Sequence, residues 1–125
     1  MRLRKRDLTR RVNADLDVQF GDDTLTSFAG LEVLRQYLQR IDFHGRLRDV
    51  FRAVPFHGDY PWVSLIRLFV GMICVGGRRL RHVRFLMRDP MMQRFAGLRS
   101  LPDDRTLSRW LQQFKGKTLE CFARF

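Results

Sequence analysis

The sequence has few cysteines, and this shortage limits the kinds of site that it can form. Its two cysteines, Cys74 and Cys121, have no metal-ligand spacing with the three histidines His44, His57 and His82. The pattern therefore indicates no zinc site, and no metal or cofactor is expected to bind to this chain. The simplest inference from two cysteines without such a site is a reduced, cytoplasmic protein.

Long apolar runs are also missing. The longest, WVSLIRLFVGMICV at 62–75, is interrupted by Arg67 and is shorter than the roughly 20 residues that a membrane span requires. The basic opening MRLRKRDLTRR is followed by no apolar stretch of the kind found in a secretory signal. The sequence therefore predicts neither a membrane segment nor a leader, and it favours a core helix over 62–75.

Lysine is scarce in a chain that is otherwise strongly basic. Only three of the 24 basic residues are lysine, and the other 21 are arginine; with 13 acidic residues the formal net charge is +11. A charge of this size favours a polyanionic partner, and arginine suits bidentate contacts to phosphate and to guanine edges. Nucleic acid is therefore the expected partner class, although a GC-rich coding sequence also favours arginine.

The charge is unevenly distributed along the chain. Residues 1–12 carry six basic side chains and one acidic, residues 13–27 carry four acidic and no basic, and residues 78–125 carry twelve basic and four acidic. The first segment either reaches the DNA backbone or serves as a solubilising tail. We predict four segments: a basic arm and short strand over 1–25, a helical core over 26–77, a helix-turn-helix-like DNA-binding unit over 78–115, and the start of a truncated segment over 116–125.

Apolar spacing predicts a mainly α chain with a short N-terminal strand or hairpin. The strand is indicated by alternation at Leu16, Val18 and Phe20. From residue 26 the spacing becomes helical, with Thr26 or Ser27 as the expected cap. The inward positions of this helix are Leu31, Leu34, Tyr37, Leu38 and Ile41. Further helices are predicted over 46–54, closed by Pro55, and over 62–75, after Pro61 and before Gly76 and Gly77.

Three shorter elements follow in the basic unit. A basic helix is predicted over 78–88, and Asp89 and Pro90 then open a short helix that ends at Gly97. An amphipathic helix follows Pro102. Three helices with a turn before a basic last one match the helix-turn-helix plan, in which the last helix enters the major groove. The inward positions of the first of these helices are Leu80, Val83, Leu86 and Met87.

The amphipathic last helix has two different faces, and Gly116 is expected to end it. One face is an apolar stripe that is expected to be buried: Leu107, Trp110, Leu111 and Phe114. The other face carries Arg105, Arg109 and Gln112, flanked by Ser108, Gln113 and Lys115. That face is either an ordinary solvated surface or a DNA-reading surface on which arginine reads guanine and glutamine reads adenine. Backbone contacts are then expected from Arg79, Arg81, Arg84, Arg99, Lys115 and Lys117.

Several other residues are assigned to structure rather than to chemistry. Trp110 could stack on a base, but its spacing places it on the apolar stripe. Asp15 and Asp17 lie on the predicted strand without a third carboxylate, so a surface role is favoured over metal binding. No serine, cysteine or histidine stands in a nucleophile arrangement, and we therefore predict no catalytic residue in this chain.

The order of these features resembles the amino-terminal region of bacterial insertion-sequence transposases of the DDE type. The resemblance covers residues 20–115 and is carried by FGDDTLTSFAGLEVLRQYLQRI, by the apolar helix that ends in two glycines, by HVRFLMRDPMMQRFAGL and by LPDDRTLSRWLQQF. Asp103 stands where that family commonly has a serine after the proline, and aspartate caps a helix equally well.

The resemblance implies that this region binds the terminal inverted repeats of an insertion sequence, as double-stranded DNA, during transposition. A ribonuclease-H-like catalytic domain would follow beyond Phe125, with three carboxylates that hold two divalent metal ions, expected to be Mg²⁺. KTLECFARF begins another helical pattern, so we expect either a longer chain or an end that packs on a partner. A homodimer within a transposition complex is left open. The alternatives are a helix-turn-helix regulator and a protein-interaction module without a catalytic partner.

Overall fold

The computed structural model describes residues 26–123, and these residues form a helical fold. No strand occurs among them, which confirms the prediction of a mainly α chain. The predicted basic arm and N-terminal strand lie outside the described residues. The helices are α1 (Leu31–Arg40), α2 (Phe43–Val50), α3 (Trp62–Cys74), α4 (Val83–Leu86), α5 (Pro90–Ala96), α6 (Asp104–Leu111) and α7 (Lys117–Ala123), with a 3-10 turn over Leu80–His82 before α4.

Helix α3 is the centre of the fold because most of its surface is apolar. Leu65 and Leu68 are fully buried, and the most extensive helix–helix contact among the described residues is between α3 and α5. Gly71 permits this close approach, since a Cβ at that position would lie 2.9 Å from Cδ1 of Phe95. Pro61 precedes the first turn of α3, as predicted.

Helices α1 and α2 are joined by a tight turn at Asp42. This residue adopts a left-handed conformation with φ of 51°, and its side chain accepts the N–H of Gly45 at 3.3 Å. The cap starts α2 at Phe43, so the helix that was predicted over 46–54 lies closer to the N-terminus than expected. The misplaced boundary reflects an aspartate in an uncommon backbone conformation, which apolar spacing does not reveal.

Two predictions for α1 are wrong. Tyr37 is 57% exposed instead of inward. Neither Thr26 nor Ser27 caps the helix, which begins at Leu31 after Gly30 and has no side-chain cap. The Thr26 hydroxyl donates instead to the Asp89 carboxylate at 2.7 Å and so ties the start of the described chain to α5. The other predicted inward positions are buried or packed against the core: Leu31, Leu34, Leu38 and Ile41.

The segment after α3 is less helical than predicted. Gly76 ends α3 in a left-handed conformation with φ of 86°, as expected of the double glycine. The continuous helix over 78–88 is wrong, because Arg79 is extended and only the 3-10 turn and the four residues of α4 are helical. The N–H of Arg78 donates to Nδ1 of His82 at 3.2 Å, a bond from the backbone to a side chain that gives this N–H a partner outside the helical ladder.

Helix α5 has the predicted boundaries. The Asp89 carboxylate accepts the N–H of Met92 at 2.9 Å, Pro90 is the first residue of the helix, and Gly97 ends it with φ of 73°. Met92 and Phe95 are fully buried. Since α5 also packs on α1, it fixes the position from which the chain turns into α6.

Helix α6 begins at the predicted cap but ends early. The Asp103 carboxylate accepts the N–H of Thr106 at 2.7 Å. The helix ends at Leu111, before Gly116, because the chain turns at Gln112 and Gln113.

Helix α7 turns a polar side chain toward the core. Thr118 is buried, with 7% of its surface exposed, whereas Leu119 is 56% exposed. One helical step of about 100° separates the two residues, so they point in different directions.

Candidate nucleic-acid interface

The inner face of α6 is anchored in the core by a group of rings. Leu107 is fully buried and Trp110 is 4% exposed, as predicted from the apolar stripe. Leu111, at the end of the helix, is 36% exposed, so the stripe is narrower than predicted. Trp110 belongs to an aromatic cluster that joins α6 to α2 and α3, with centroid distances of 4.8 to 5.9 Å around its ring. The aromatic cluster consists of Phe51, Phe56, Trp62, Phe69, Trp110 and Phe114.

The outer face of α6 carries the polar side chains that were expected to read DNA. Arg105, Arg109 and Gln112 are exposed, and Ser108 is half-buried between them. These four residues occupy positions i, i+3, i+4 and i+7, so they form one stripe along the helix, and they line a shallow groove together with Leu80 and Asp104. We call this stripe of Arg105, Ser108, Arg109 and Gln112 the α6 polar face.

The two arginines of the α6 polar face are not neutralised by an ion pair within residues 26–123. Asp104 lies in the same groove, but its carboxylate is bound by Arg84, with Nη2–Oδ2 and Nη2–Oδ1 distances of 3.0 and 3.1 Å. Asp103 is occupied as the helix cap. The hydroxyl and the N–H of Thr106 hold its pKa below the usual value, and the positive charges of Arg105 and Arg109 add to this effect.

Gln113 has a structural role that the sequence does not reveal. Its amide Nε2 donates to the carbonyl of His57 at 2.7 Å, and its Oε1 accepts the N–H of His57 at 2.9 Å. The side chain thus fastens the loop before α3 to the end of α6. Gln113 was predicted to flank the DNA-reading residues, but its amide group is hydrogen-bonded to the backbone of this loop.

The remaining predicted contacts are exposed but are not all gathered in one place. Arg81 and Arg84 line a depression with His82 and Phe85, beside the 3-10 turn that packs on α6. Arg79 precedes that turn, Arg99 lies in the connection between α5 and α6, and Lys115 and Lys117 follow the end of α6.

The chain matches no protein-family model, no curated protein and no solved structure. The α6 polar face is therefore interpreted from its own chemistry.

The described residues contain no candidate metal centre. No three histidine, cysteine, aspartate or glutamate side chains between residues 26 and 123 are close enough together to hold a metal ion. None of the described helices has both the length and the apolar character that crossing a bilayer requires.

Phe85 was missed by the sequence analysis, although a signal was present. Val83 and Leu86 are buried at positions i and i+3, and a residue two positions after Val83 points to the opposite side of a helix. Phe85 is accordingly 85% exposed. The same apolar spacing that identified the buried positions therefore also indicated an outward phenylalanine.

Proposed function

We propose that this chain binds double-stranded DNA through α6, which enters the major groove as the last helix of a helix-turn-helix-like unit. The observation that carries the proposal is the state of Arg105 and Arg109. Both are exposed and free of ion pairs within residues 26–123, on a helix whose opposite face is fixed by Leu107 and Trp110. A rigid helix with two available guanidinium groups suits bidentate recognition of guanine.

The dimensions of α6 suit this role. An α-helix with its side chains is about 10–12 Å across, and the major groove of B-DNA is about 12 Å wide, so a helix such as α6 can enter it. The i, i+4 spacing directs Arg105 and Arg109 to the same side, where each would donate two hydrogen bonds to O6 and N7 of a guanine. Gln112 would contact adenine from the end of the helix, and Ser108 suits either base.

The surrounding basic residues would hold the DNA backbone and set the position of α6. The side chains assigned to this role are Arg79, Arg81, Arg84, Arg99, Lys115 and Lys117. Arg84 differs from the rest, since it is bound to Asp104 in the free protein. Contact with a phosphate would require Arg84 to exchange one anion for another, and Asp104 would then face the DNA unpaired.

The kind of DNA is proposed from the resemblance to DDE-type insertion-sequence transposases. On that basis the targets are the terminal inverted repeats of a mobile element, and this chain is the recognition portion of a transposase. The strand-transfer chemistry would belong to a separate ribonuclease-H-like domain that binds Mg²⁺. No catalytic residue is assigned within this chain.

The DNA-binding proposal is tested by the salt dependence of affinity. We expect fluorescence anisotropy with a labelled duplex to give a log K against log [salt] slope near −0.9 for each phosphate neutralised. Arg105→Ala and Arg109→Ala should each weaken binding and reduce sequence preference. Arg40→Ala is the matched control, because Arg40 is exposed at the end of α1, which packs on α2 and α5.

The outcomes separate the alternatives. Preference for inverted-repeat ends over scrambled duplex would support the transposase assignment, and preference for an unrelated operator would support a regulator. The absence of DNA binding, or a salt-independent affinity, would exclude the proposal and favour a protein-interaction module. Cleavage of supercoiled DNA in Mg²⁺ or Mn²⁺ would contradict the assignment of catalysis to another domain.

A further inference from the structure

Phe85 is the most exposed of the large apolar side chains described, and the fold does not explain why a phenylalanine occupies this position. It is 85% exposed on the single turn of α4, while Val83 and Leu86 are buried and hold that turn on the core. A polar residue at position 85 would leave this packing unchanged. The aromatic ring is therefore available for a purpose other than folding.

The surroundings of Phe85 are cationic and aromatic. Arg81 and Arg84 line the same depression, and the His82 ring lies 6.3 Å from the Phe85 ring, centroid to centroid. Arg84 binds Asp104, the first residue of α6, so this depression adjoins the α6 polar face. The Phe85 ring thus shares its depression with Arg81 and with Arg84, whose guanidinium is bound to Asp104 until a phosphate replaces that carboxylate. This combination complements a ligand that has both a flat apolar face and a nearby negative charge.

We propose that Phe85 stacks on a DNA base at a point where the base stack is interrupted. A base offers a flat π-face joined through its sugar to a phosphate, which is the combination that the ring and the two arginines complement. In continuous duplex DNA that face is covered by the neighbouring base pairs. The inference rests on the proposed DNA-binding function and deepens it, because it specifies a duplex with a kinked step or an unpaired nucleotide as the preferred ligand.

The test compares two duplexes of identical sequence, one fully paired and one with a single unpaired adenine at its centre. Affinities of the whole chain are measured by fluorescence anisotropy at one salt concentration. We expect the wild-type protein to bind the interrupted duplex about tenfold more tightly, since stacking of one base on an aromatic side chain is a contribution of this order.

Three variants make the result specific to the ring. Phe85→Ala should bind both duplexes with equal affinity and should bind the paired duplex as the wild type does. Phe85→Tyr, which retains the ring, should keep the preference. Val33→Ala is the matched control, because Val33 is a similarly exposed apolar residue, at 73%, on α1. Thermal unfolding of Phe85→Ala should match the wild type, since little apolar area is buried at this position.

The outcomes distinguish this inference from the function on which it rests. Salt-dependent binding to both duplexes without a preference would overturn the role of Phe85 and leave the proposed function standing. A preference that persists in Phe85→Ala would also overturn it. Failure to bind either duplex would remove both. If sedimentation shows a wild-type dimer that Phe85→Ala dissociates, without any duplex preference, the surface serves a second copy of the chain instead of DNA.

Discussion

Neighbouring glutamines at the end of α6 have different surroundings. Gln112 is exposed on the α6 polar face, whereas Gln113 makes two hydrogen bonds to the backbone of His57. Sequence alone assigned both of them to the DNA-reading surface. One helical step changes the direction of a side chain by about 100°. Gln112 therefore lies on the face proposed to recognise DNA, whereas Gln113 stabilises the fold.

Substitution of the two glutamines should therefore affect different properties of the protein. We expect Gln113→Ala to lower the free energy of unfolding by about 1–2 kcal/mol, because it removes two hydrogen bonds between distant segments. Gln112→Ala should leave stability within about 0.5 kcal/mol and weaken DNA sequence preference. Urea denaturation measures the first effect, and competition binding measures the second. Equal destabilisation by both variants would contradict this division.

Glu32 should make stability depend on acidic pH. Arg35 donates to its carboxylate at 2.6 and 2.9 Å, and Arg94 of α5 donates at 3.2 Å. These contacts, the Arg35 hydrogen bond above all, lower the pKa of Glu32 from 4.5 to about 2. Because the pKa is lower in the folded state, the stabilisation is fully present above pH 4.5 and is lost as the pH falls toward 2.

The variant Glu32→Gln tests this dependence. We expect its midpoint of thermal unfolding to be below that of the wild type at neutral pH and to fall less between pH 5 and pH 2. Glu120→Gln is the control, since Glu120 is exposed on α7 and makes no ion pair within the described residues. Parallel pH profiles of the wild type and Glu32→Gln would show that the ion pairs of Glu32 with Arg35 and Arg94 contribute nothing to stability.

At the scale of the residue, the sequence predicted burial correctly at positions where a helix packs against the core. Leu107 and Trp110 are buried as expected, whereas Leu111 and Tyr37 are more exposed than expected. These two lie on faces that no described neighbour covers fully. Apolar spacing identifies a candidate inner face, but only the tertiary arrangement decides how wide that face is.

Helix caps set the boundaries of the last elements. Asp89 accepts the N–H of Met92 and also the hydroxyl of Thr26, so it joins α5 to the start of the described chain. Asp103 accepts the N–H of Thr106 and interacts with the hydroxyl of the same residue, so both contacts lie within its own helix. We expect Asp89→Ala to lower the free energy of unfolding by about 2 kcal/mol and to be the more destabilising of the two alanine substitutions. Chemical denaturation of Asp89→Ala and Asp103→Ala measures the loss of stability in each. Thr26→Ala is a control that removes only the hydroxyl bond to Asp89. A larger loss in Asp103→Ala than in Asp89→Ala would contradict the interpretation.

The contact between α3 and α5 depends on a glycine. A Cβ at Gly71 would lie 2.9 Å from Cδ1 of Phe95 and 3.0 Å from Sδ of Met92. We expect Gly71→Ala to destabilise the protein by about 1–3 kcal/mol, because the helices would have to separate. Gly30→Ala is the control, since a Cβ there meets nothing within 4 Å. Calorimetry of the two variants measures the difference in stability. A Gly71→Ala variant as stable as the wild type would show that α3 and α5 can adjust to the added methyl group.

At the scale of the element, the caps and glycine around α5 and the apolar run of α3 were predicted correctly, whereas the cap of α1 and the end of α6 were not. Asp89, Pro90 and Gly97 lie where the sequence placed them. The helix predicted over 78–88 is shortened to residues 80–86 and begins as a 3-10 turn, and the N–H of Arg78 bonds to the His82 ring outside it. Such a bond between a backbone group and a side chain leaves no trace in hydrophobic spacing.

For the molecule as a whole, the net charge of +11 should couple stability to polyanions. A ligand that binds only the folded state at 100 times its dissociation constant stabilises that state by about 2.7 kcal/mol. We therefore expect duplex DNA to raise the midpoint of thermal unfolding at low salt and to lose this effect at high salt. A neutral polymer is the control, and a rise that persists at high salt would argue against phosphate contacts.

Whole-molecule organisation was the part least accessible from the sequence. Nothing in residues 55–60 indicates that this loop is fastened to Gln113, or that Phe56 packs on Trp110 at 5.5 Å. These long-range contacts support α6 from behind. The residues of the α6 polar face could be predicted from the sequence. The contacts that hold the inner side of α6 in place could be identified only in the three-dimensional structure.

The aromatic cluster gives the protein a built-in optical reporter. Both of its tryptophans, Trp62 and Trp110, lie next to Phe56, at 5.1 and 5.5 Å between ring centroids. Loosening of α6 would admit water to these indoles and shift their emission to the red, whereas an event confined to the outer surface would leave their spectrum unchanged. Tryptophan fluorescence of the unlabelled chain would thus distinguish DNA binding by a rigid α6 from binding that rearranges the aromatic cluster behind α6.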